Sequence, residues 1–227
     1  MNIKRTAAAE AYQRGYKFIE KRCLVVAAMS IGNSYFSKEK IDELLPFWSS
    51  IFPIVRILIA DLISVHTYKA KGYDEDKARK KTRLAGNRLK NHCLSTIQKM
   101  KAERKESNII FVDWEKEVEH STEYERHLSI IHKMYQENQK FREDAKKTTL
   151  DVLKEKIEED ANIDAAMEEG VNYLLEELAF LLASPVIFGV ENVAYIYHRE
   201  WPIYINLIDG KYDGKVRENL AFIQIED

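Results

Sequence analysis

The sequence predicts an α/β protein with a mostly parallel, Rossmann-like sheet flanked by helices. Two apolar runs at 23–29 and 54–60, CLVVAAM and IVRILIA, each end in a polar turn, as buried parallel strands do. A helical spacing of Ile41, Leu44 and Leu45 lies between them. Strand, helix and strand within about 40 residues form a right-handed βαβ unit, the start of such a sheet.

The first half of the chain alternates helices with these strands. Residues 6–21 are rich in Ala, Glu and Lys and predict a helix. Ser37 can cap the next helix, which runs to about Trp48 and is ended or kinked by Pro46. A long basic helix is predicted over about 74–105, with a weak point at Gly86, before a third strand at 108–112.

The second half reads as helices followed by short strands. Charged helices are predicted over 121–147 and 148–160, and an apolar helix over 164–183 ends at Ser184-Pro185. We expect strands at 186–190 and 193–198, with short edge strands at 203–208 and 221–225.

Length and composition favour a single domain over residues 1–227. The chain has 45% hydrophobic residues, four Pro and no low-complexity segment. Two cysteines, Cys23 and Cys93, without an apolar leader indicate reduced thiols in the cytoplasm. No apolar run reaches the roughly 18 residues of a membrane span, so we expect a soluble protein without a membrane partner.

The distribution of charge indicates a polyanionic partner that the net charge of −2 conceals. Eleven Lys and Arg lie between Lys77 and Lys105 against one acid, Glu103, whereas Glu158 to Glu177 contains neither Lys nor Arg. A charge run is usually a solvated face, but cations without internal pairing repel one another unless phosphate neutralises them.

Tyr173 and Glu177 are four residues apart and would share one face of a helix. They could converge on a small cation such as a substrate ammonium, although a core tyrosine beside a solvated glutamate has the same spacing. Glu176 points about 100° away around the helix, so Glu177 is the preferred acid.

Three separated motifs resemble those of the cyclodipeptide synthases, which join the amino acids of two aminoacyl-tRNAs into a diketopiperazine. They are AMSIGNSYFS at 28–37, NYLLEE at 172–177 followed by Ser184-Pro185, and YIYH at 195–198 before Pro202. The resemblance spans roughly residues 20–205. Ala28 stands where relatives often have Gly, which bears on the shape of the neighbouring pocket more than on the chemistry.

The resemblance implies a fold like the catalytic domain of class I tyrosyl- and tryptophanyl-tRNA synthetases, without their HIGH and KMSKS signatures. It implies that Ser30 takes the first aminoacyl group as an ester. The amine of a second aminoacyl-tRNA then attacks to give a dipeptidyl enzyme, which cyclises. Tyr197 would relay protons and Glu177 would anchor the ammonium beside Tyr173, with no metal or organic cofactor.

The resemblance also assigns supporting residues. Asn33, Tyr197 and His198 match the family branch defined by Asn-Tyr-His at these places, with His198 supporting the site. The first amino acid would enter a pocket that is equally readable as ordinary core, formed by Val26, Ala28, Leu58, Ala60, Phe180 and Tyr195. The implied tRNA-binding residues are Lys77, Arg79, Lys80, Lys81, Arg83, Arg88 and Lys90. We expect a monomer.

Two other functions remain open on the residues alone. Ser30 in AMSIG mimics the nucleophile elbow of an α/β-hydrolase, but only 29 residues precede it, too few for the earlier strands of that fold. A lone serine after a strand is more often a turn or cap residue. A noncatalytic tRNA-binding module of synthetase-like fold would keep the basic helix and have no use for Ser30.

Overall fold

The computed structural model describes residues 1–4, 9–103, 107–154 and 163–226. Within these ranges six strands form one sheet in the order β1-β6-β5-β2-β3-β4. All neighbours are parallel except β1 and β6. The strands are β1 Asn2–Ile3, β2 Leu24–Met29, β3 Val55–Ile59, β4 Ile109–Phe111, β5 Val193–Tyr197 and β6 Leu220–Glu226. The predicted α/β class with a mostly parallel sheet is confirmed.

Strand β2 is the centre of the sheet and positions the site. All six of its residues are buried, as expected for a strand covered by helices on both faces. It pairs with β3 on one side and with β5 on the other, so the strand order reverses at β2. Ligands of open α/β sheets bind beyond the carboxyl ends of strands at such a switch point.

Helices cover both faces of the sheet. They are α1 Glu10–Glu20, α2 Lys38–Ile51, α3 Val65–Lys69, α4 Glu75–Ala102, α5 Thr122–Glu137, α6 Gln139–Lys154, α7 Ile163–Ile187 and α8 Pro202–Ile208, with a 3₁₀ turn at Ser34–Phe36 and a π-helical turn at Trp114–Val118. The apolar faces of α2 and α4 pack on one side of the sheet. The other side carries α7, α8 and the helices around them.

Helix α7 is long and apolar enough to cross a membrane by length and composition, alone among the helices in the described ranges. However, 67% of its apolar window is buried inside the protein. An apolar helix buried on most of its circumference is typical of the centre of a packed domain. The absence of an apolar run of membrane-spanning length, predicted from the sequence, is therefore wrong as a statement about composition.

Both proline stops predicted from the sequence are wrong. Helix α2 continues through Pro46 to Ile51, and α7 continues through Pro185 to Ile187. Pro185 cannot donate to the Leu181 carbonyl, but the Ser184 hydroxyl donates to that oxygen at 2.7 Å. The predicted strand at 186–190 is therefore the end of a helix and a turn.

Other boundaries differ for local reasons. The predicted helix over 121–147 breaks at Asn138, whose side chain accepts from the Phe141 amide at 2.9 Å and so caps α6. Residues 203–208 are helix α8 rather than a strand, with Pro202 in its first turn. Strand β6 is not an edge strand, because the unpredicted β1 covers it.

Helix α4 shows no break at Gly86. A Cβ at that glycine would lie 2.5 Å from the Asp61 Cβ, so the glycine permits close packing against the end of β3. Parts of three predicted helices, at 6–8, 104–105 and 155–160, lie outside the described residues.

Candidate active site

The turn after β2 brings Ser30 to the carboxyl edge of the sheet. Gly32 takes a positive φ of 72°, which lets the chain reverse there. The Asn33 side chain caps the following 3₁₀ turn by accepting from the Tyr35 amide at 3.0 Å. Its amide nitrogen donates to the Tyr197 hydroxyl at 3.4 Å. Asn33 therefore ties the turn after β2 to the end of β5.

The Ser30 hydroxyl contacts a buried phenol. Ser30 Oγ lies 3.2 Å from Tyr173 Oη, and either oxygen can donate. Burial, and next the charge of Glu177, hold the pKa of Tyr173 well above its ordinary value. Tyr173 therefore stays protonated and can orient the serine hydroxyl by a hydrogen bond.

Glu177 lies beside three tyrosines in this site. Its side chain faces the site from α7, and the residue is only 6% exposed. Burial and then its negative charge raise the pKa of Tyr173, Tyr195 and Tyr197, and Tyr197 reaches about 12. A buried carboxylate among neutral phenols can hold an ammonium group.

Glu176 points elsewhere. Its carboxylate lies 3.2 Å from the Nε2 of His66, on the face of α7 that packs on α3. The placement of the two acids agrees with the helical phase argued from the sequence, which put Glu177 and not Glu176 beside the catalytic residues.

A cavity of about 550 Å³ opens above Ser30. This volume lies within the range of small-molecule sites, roughly 300–1,000 Å³. Six of the predicted site residues line it: Ser30, Asn33, Tyr173, Glu177, Tyr195 and Tyr197. Its outer wall contains a charged group from other elements, formed by Lys71, Asp144, Lys147, Asp151, Arg199 and Glu200.

Five predicted pocket residues do not line this cavity. Val26, Ala28, Leu58, Ala60 and Phe180 are each at most 1% exposed and belong to the apolar core beneath the site. Their role in recognising the first amino acid stays a prediction.

His198 lies behind the cavity. Its ring stacks on Tyr35 with centroids 3.8 Å apart, and its centroid is 4.3 Å from that of Tyr197. Strand β5 ends at Tyr197, so the chain has already turned and the two neighbouring rings can meet. This placement suits a supporting residue.

Sequence reasoning missed the outer wall and His66. The wall residues on α6 lie far along the chain from every recognised motif, so only the fold brings them to the cavity. Arg199 and Glu200 directly follow the YIYH motif, and that adjacency was the available signal. Among the residues that the structure describes, no group of three or more His, Cys, Asp or Glu could hold a metal ion.

The basic face of α4 consists of the seven predicted tRNA-binding residues, Lys77, Arg79, Lys80, Lys81, Arg83, Arg88 and Lys90. All seven are exposed, while the opposite side of the helix packs on the sheet. The expectation that these cations lack internal pairing is wrong. Ion pairs join Lys77 to Asp74 at 2.9 Å, Arg79 to Glu75 at 2.8 Å and Arg83 to Glu115 at 3.5 Å.

The acids that make these pairs lie outside the window in which the charges were counted. Exposed pairs of this kind contribute only about 0–1 kcal/mol. The cations can therefore exchange these partners for phosphates at little cost.

The sequence matches known proteins over nearly its whole length. The family model "Cyclodipeptide synthase" matches residues 11–227. A cyclo(L-leucyl-L-leucyl) synthase of Staphylococcus haemolyticus is 24% identical over 205 residues, 88% of this chain and 85% of that protein. One of Photorhabdus laumondii is 23% identical over 213 residues, 91% and 89% of the two chains.

Solved structures share the fold. A cyclodipeptide synthase from Staphylococcus haemolyticus aligns with a TM-score of 0.80 at 21% identity, covering 100% of this chain and 99% of that one. One from Candidatus Glomeribacter gigasporarum, solved bound to Phe-tRNAPhe, has a TM-score of 0.63 at 14% identity over 88% and 86%. A tyrosyl-tRNA synthetase of Archaeoglobus fulgidus has a TM-score of 0.52 at 13% identity over 97% and 62%. The relation to a synthetase fold implied by the sequence is confirmed.

Proposed function

The chain belongs to the cyclodipeptide synthase family, and we propose that it joins the amino acids of two aminoacyl-tRNAs into a cyclic dipeptide through an ester on Ser30. The observation that carries the proposal is the Ser30 hydroxyl, 3.2 Å from Tyr173, at the mouth of a cavity that contains buried Glu177. Three curated relatives are named cyclo(L-leucyl-L-leucyl) synthase, and one solved relative holds Phe-tRNAPhe.

In the first step the Ser30 oxygen attacks the ester carbonyl of an aminoacyl-tRNA. The bond from that carbonyl to the ribose oxygen breaks, and the serine proton passes to the departing ribose hydroxyl. This is an exchange of one ester for another, so it needs no net source of energy. Tyr173 orients the attacking hydroxyl through its hydrogen bond.

The second step fixes which amine attacks. If the amine of the second aminoacyl-tRNA attacked the serine ester, the dipeptide would be left on the tRNA. The dipeptide stays on Ser30 only when the amine of the serine-bound aminoacyl group attacks the ester of the second aminoacyl-tRNA. The order of attack inferred from the sequence motifs is therefore corrected on atom balance.

The last step closes the ring. The free amine of the dipeptide attacks its own ester carbonyl, the bond to Ser30 Oγ breaks, and the serine recovers a proton. Glu177 holds each ammonium near the reacting carbonyl and accepts a proton as the amine is released for attack. Tyr197, kept neutral by its raised pKa, passes protons between the amine and the leaving oxygen.

The two alternative functions are less well supported. A serine esterase of the α/β-hydrolase type needs a histidine base beside its nucleophile, and no histidine lines the cavity among the described residues. A noncatalytic tRNA-binding module would have no need for the hydroxyl contact at Ser30 or for a buried carboxylate next to it.

Incubation of the purified protein with defined aminoacyl-tRNAs, followed by mass spectrometry of the small-molecule fraction, tests the function. Leucyl-tRNA should be tried first because of the relatives' products. We expect a cyclic dipeptide with release of free tRNA, and none from Ser30→Ala. Hydrolysis to free amino acid alone would favour the esterase, and tRNA binding without turnover would favour the binding module.

The finer assignments rest on the same residues. We propose the Asn-Tyr-His branch because Asn33, Tyr197 and His198 lie together at the ends of β2 and β5. We further propose one domain over 1–227, a monomer, and a cytoplasmic location where aminoacyl-tRNA is available.

A further inference from the structure

His66 on α3 lies between two carboxylates of α7. Its Nδ1 is 2.5 Å from Glu169 Oε2, and its Nε2 is 3.2 Å from Glu176 Oε1. The two acids are seven residues apart, two helical turns, and so share one face. Lys69, one turn further along α3, adds an ion pair to Glu169 at 2.8 Å.

The residue between the two anchored acids is Tyr173. It follows Glu169 by four residues and precedes Glu176 by three, so it shares their face of α7. Its hydroxyl contacts Ser30, and it also hydrogen-bonds with Ser64, two residues before His66. The contact between α3 and α7 therefore surrounds the phenol that orients the proposed nucleophile.

We propose that His66 is a positioning residue, which holds α3 against α7 by two hydrogen bonds so that Tyr173 meets Ser30. This inference rests on the proposed function for its effect on the rate, while the two hydrogen bonds themselves can be tested without turnover. His66 has no contact with the cavity in the described structure, so it acts through Tyr173 and not on substrate.

The arrangement needs the charged form of the ring. A neutral imidazole carries one N–H, whereas two carboxylates each need a donor, so only the imidazolium makes both bonds. Burial by itself would lower the pKa of His66, but Glu176 and Glu169 outweigh it and raise the pKa.

The other ionisable groups around His66 come from three helices. Lys69 stands beside it on α3 and also pairs with Glu75 of α4 at 3.6 Å. On α5, Tyr124 interacts electrostatically with Glu176. Of these groups the two glutamates alone bond the ring directly in the described structure.

The direction of the pH dependence follows. A group whose pKa is raised on folding contributes its stability fully below its unfolded pKa, about 6.5 for histidine, and loses that contribution as pH rises through the folded value. One of the two bonds then has no donor. We expect an alkaline limb in the synthesis rate that tracks the ionisation of His66.

Titration of His66 by NMR is the direct test, with its signal assigned by its loss in His66→Gln. In the wild type His66 should titrate above about 6.5, and Glu176→Gln should lower its pKa. Glu168→Gln, the same change at an exposed neighbour on α7, should leave it unchanged. A His66 that titrates at or below its ordinary pKa, or that ignores Glu176→Gln, would overturn the proposal whether or not the protein is active.

The rate measurement separates positioning from a structural role. Initial rates, corrected for spontaneous hydrolysis of the aminoacyl ester, should show the alkaline limb move to lower pH in Glu176→Gln. His66→Gln should lower kcat by about tenfold to a hundredfold, as displacement of a reacting group does, while KM changes less than about twofold. A loss of thermal stability with an unmoved limb would mean that His66 is merely structural. Failure of the wild type to make any cyclic dipeptide would reject the proposed function and leave the NMR result standing.

Discussion

The substitution Glu177→Gln tests whether the buried carboxylate acts on substrate ammonium. It keeps the size of the side chain and part of its hydrogen bonding but removes the negative charge. Glu177 is 6% exposed in a cavity that also contains Tyr173 and Tyr197, so water cannot replace it freely. The loss should therefore appear in the reaction rate and not in the fold.

The size of the effect follows from one charge-assisted hydrogen bond. Such a bond is worth about 1.5–3 kcal/mol, and each 1.4 kcal/mol is a factor of ten in rate. We expect cyclic dipeptide formation to fall between about tenfold and about 150-fold. Thermal stability should be equal or higher, because burying a charged carboxylate costs more than burying an amide.

The assay is the initial rate of cyclic dipeptide release, with Glu168→Gln on the exposed side of α7 as the matched control. A second readout is the ultraviolet titration of tyrosine. Without the charge of Glu177 the phenols beside it, Tyr197 with its pKa near about 12 included, should ionise at lower pH. Full activity of Glu177→Gln together with the shifted phenol titration would refute the ammonium site and leave the geometry intact.

Three further predictions concern the rest of the molecule. Neutralising four residues of the basic face should weaken tRNA binding and flatten its salt dependence by up to about 0.9 in log–log slope per lost phosphate contact, whereas replacing exposed Lys17 and Lys21 by Ala should change neither; an unchanged slope would place the tRNA elsewhere. The four are Arg79, Lys80, Lys81 and Arg83. Gly86→Ala should cost about 1 kcal/mol in urea denaturation, because overpacking against Asp61 exceeds the gain in helix propensity; a gain in stability would show that α4 can move. The Cys93 thiol, whose pKa burial raises to about 12, should resist thiol reagents until the protein unfolds, and rapid labelling of the native protein would contradict its burial.

The sheet and the cavity residues could be predicted because their signals are local. The apolar runs that became β2 and β3 end in polar turns, and that pattern also places Ser30 at the carboxyl edge. The spacing of Tyr173 and Glu177 needs only the helical period. These features depend on neighbours in the chain.

The errors arose where distant contacts outweigh local signals. Pro185 does not stop α7, because the Ser184 hydroxyl donates to the carbonyl that the proline leaves without an amide donor. Residues 203–208 have an apolar content that suits a strand, yet Pro202 starts a buried helix there. His66 was not identified because its two partners lie more than 100 residues away in the sequence.

The covalent ester on Ser30 is the central claim, and trapping it is the most direct test. The protein is mixed with labelled leucyl-tRNA, quenched in acid within the first turnover, digested and analysed by mass spectrometry. We predict an aminoacyl group on the peptide that contains Ser30, and no label in Ser30→Ala. Equal labelling of the two proteins, or cyclic dipeptide production by Ser30→Ala at the wild-type rate, would contradict the mechanism.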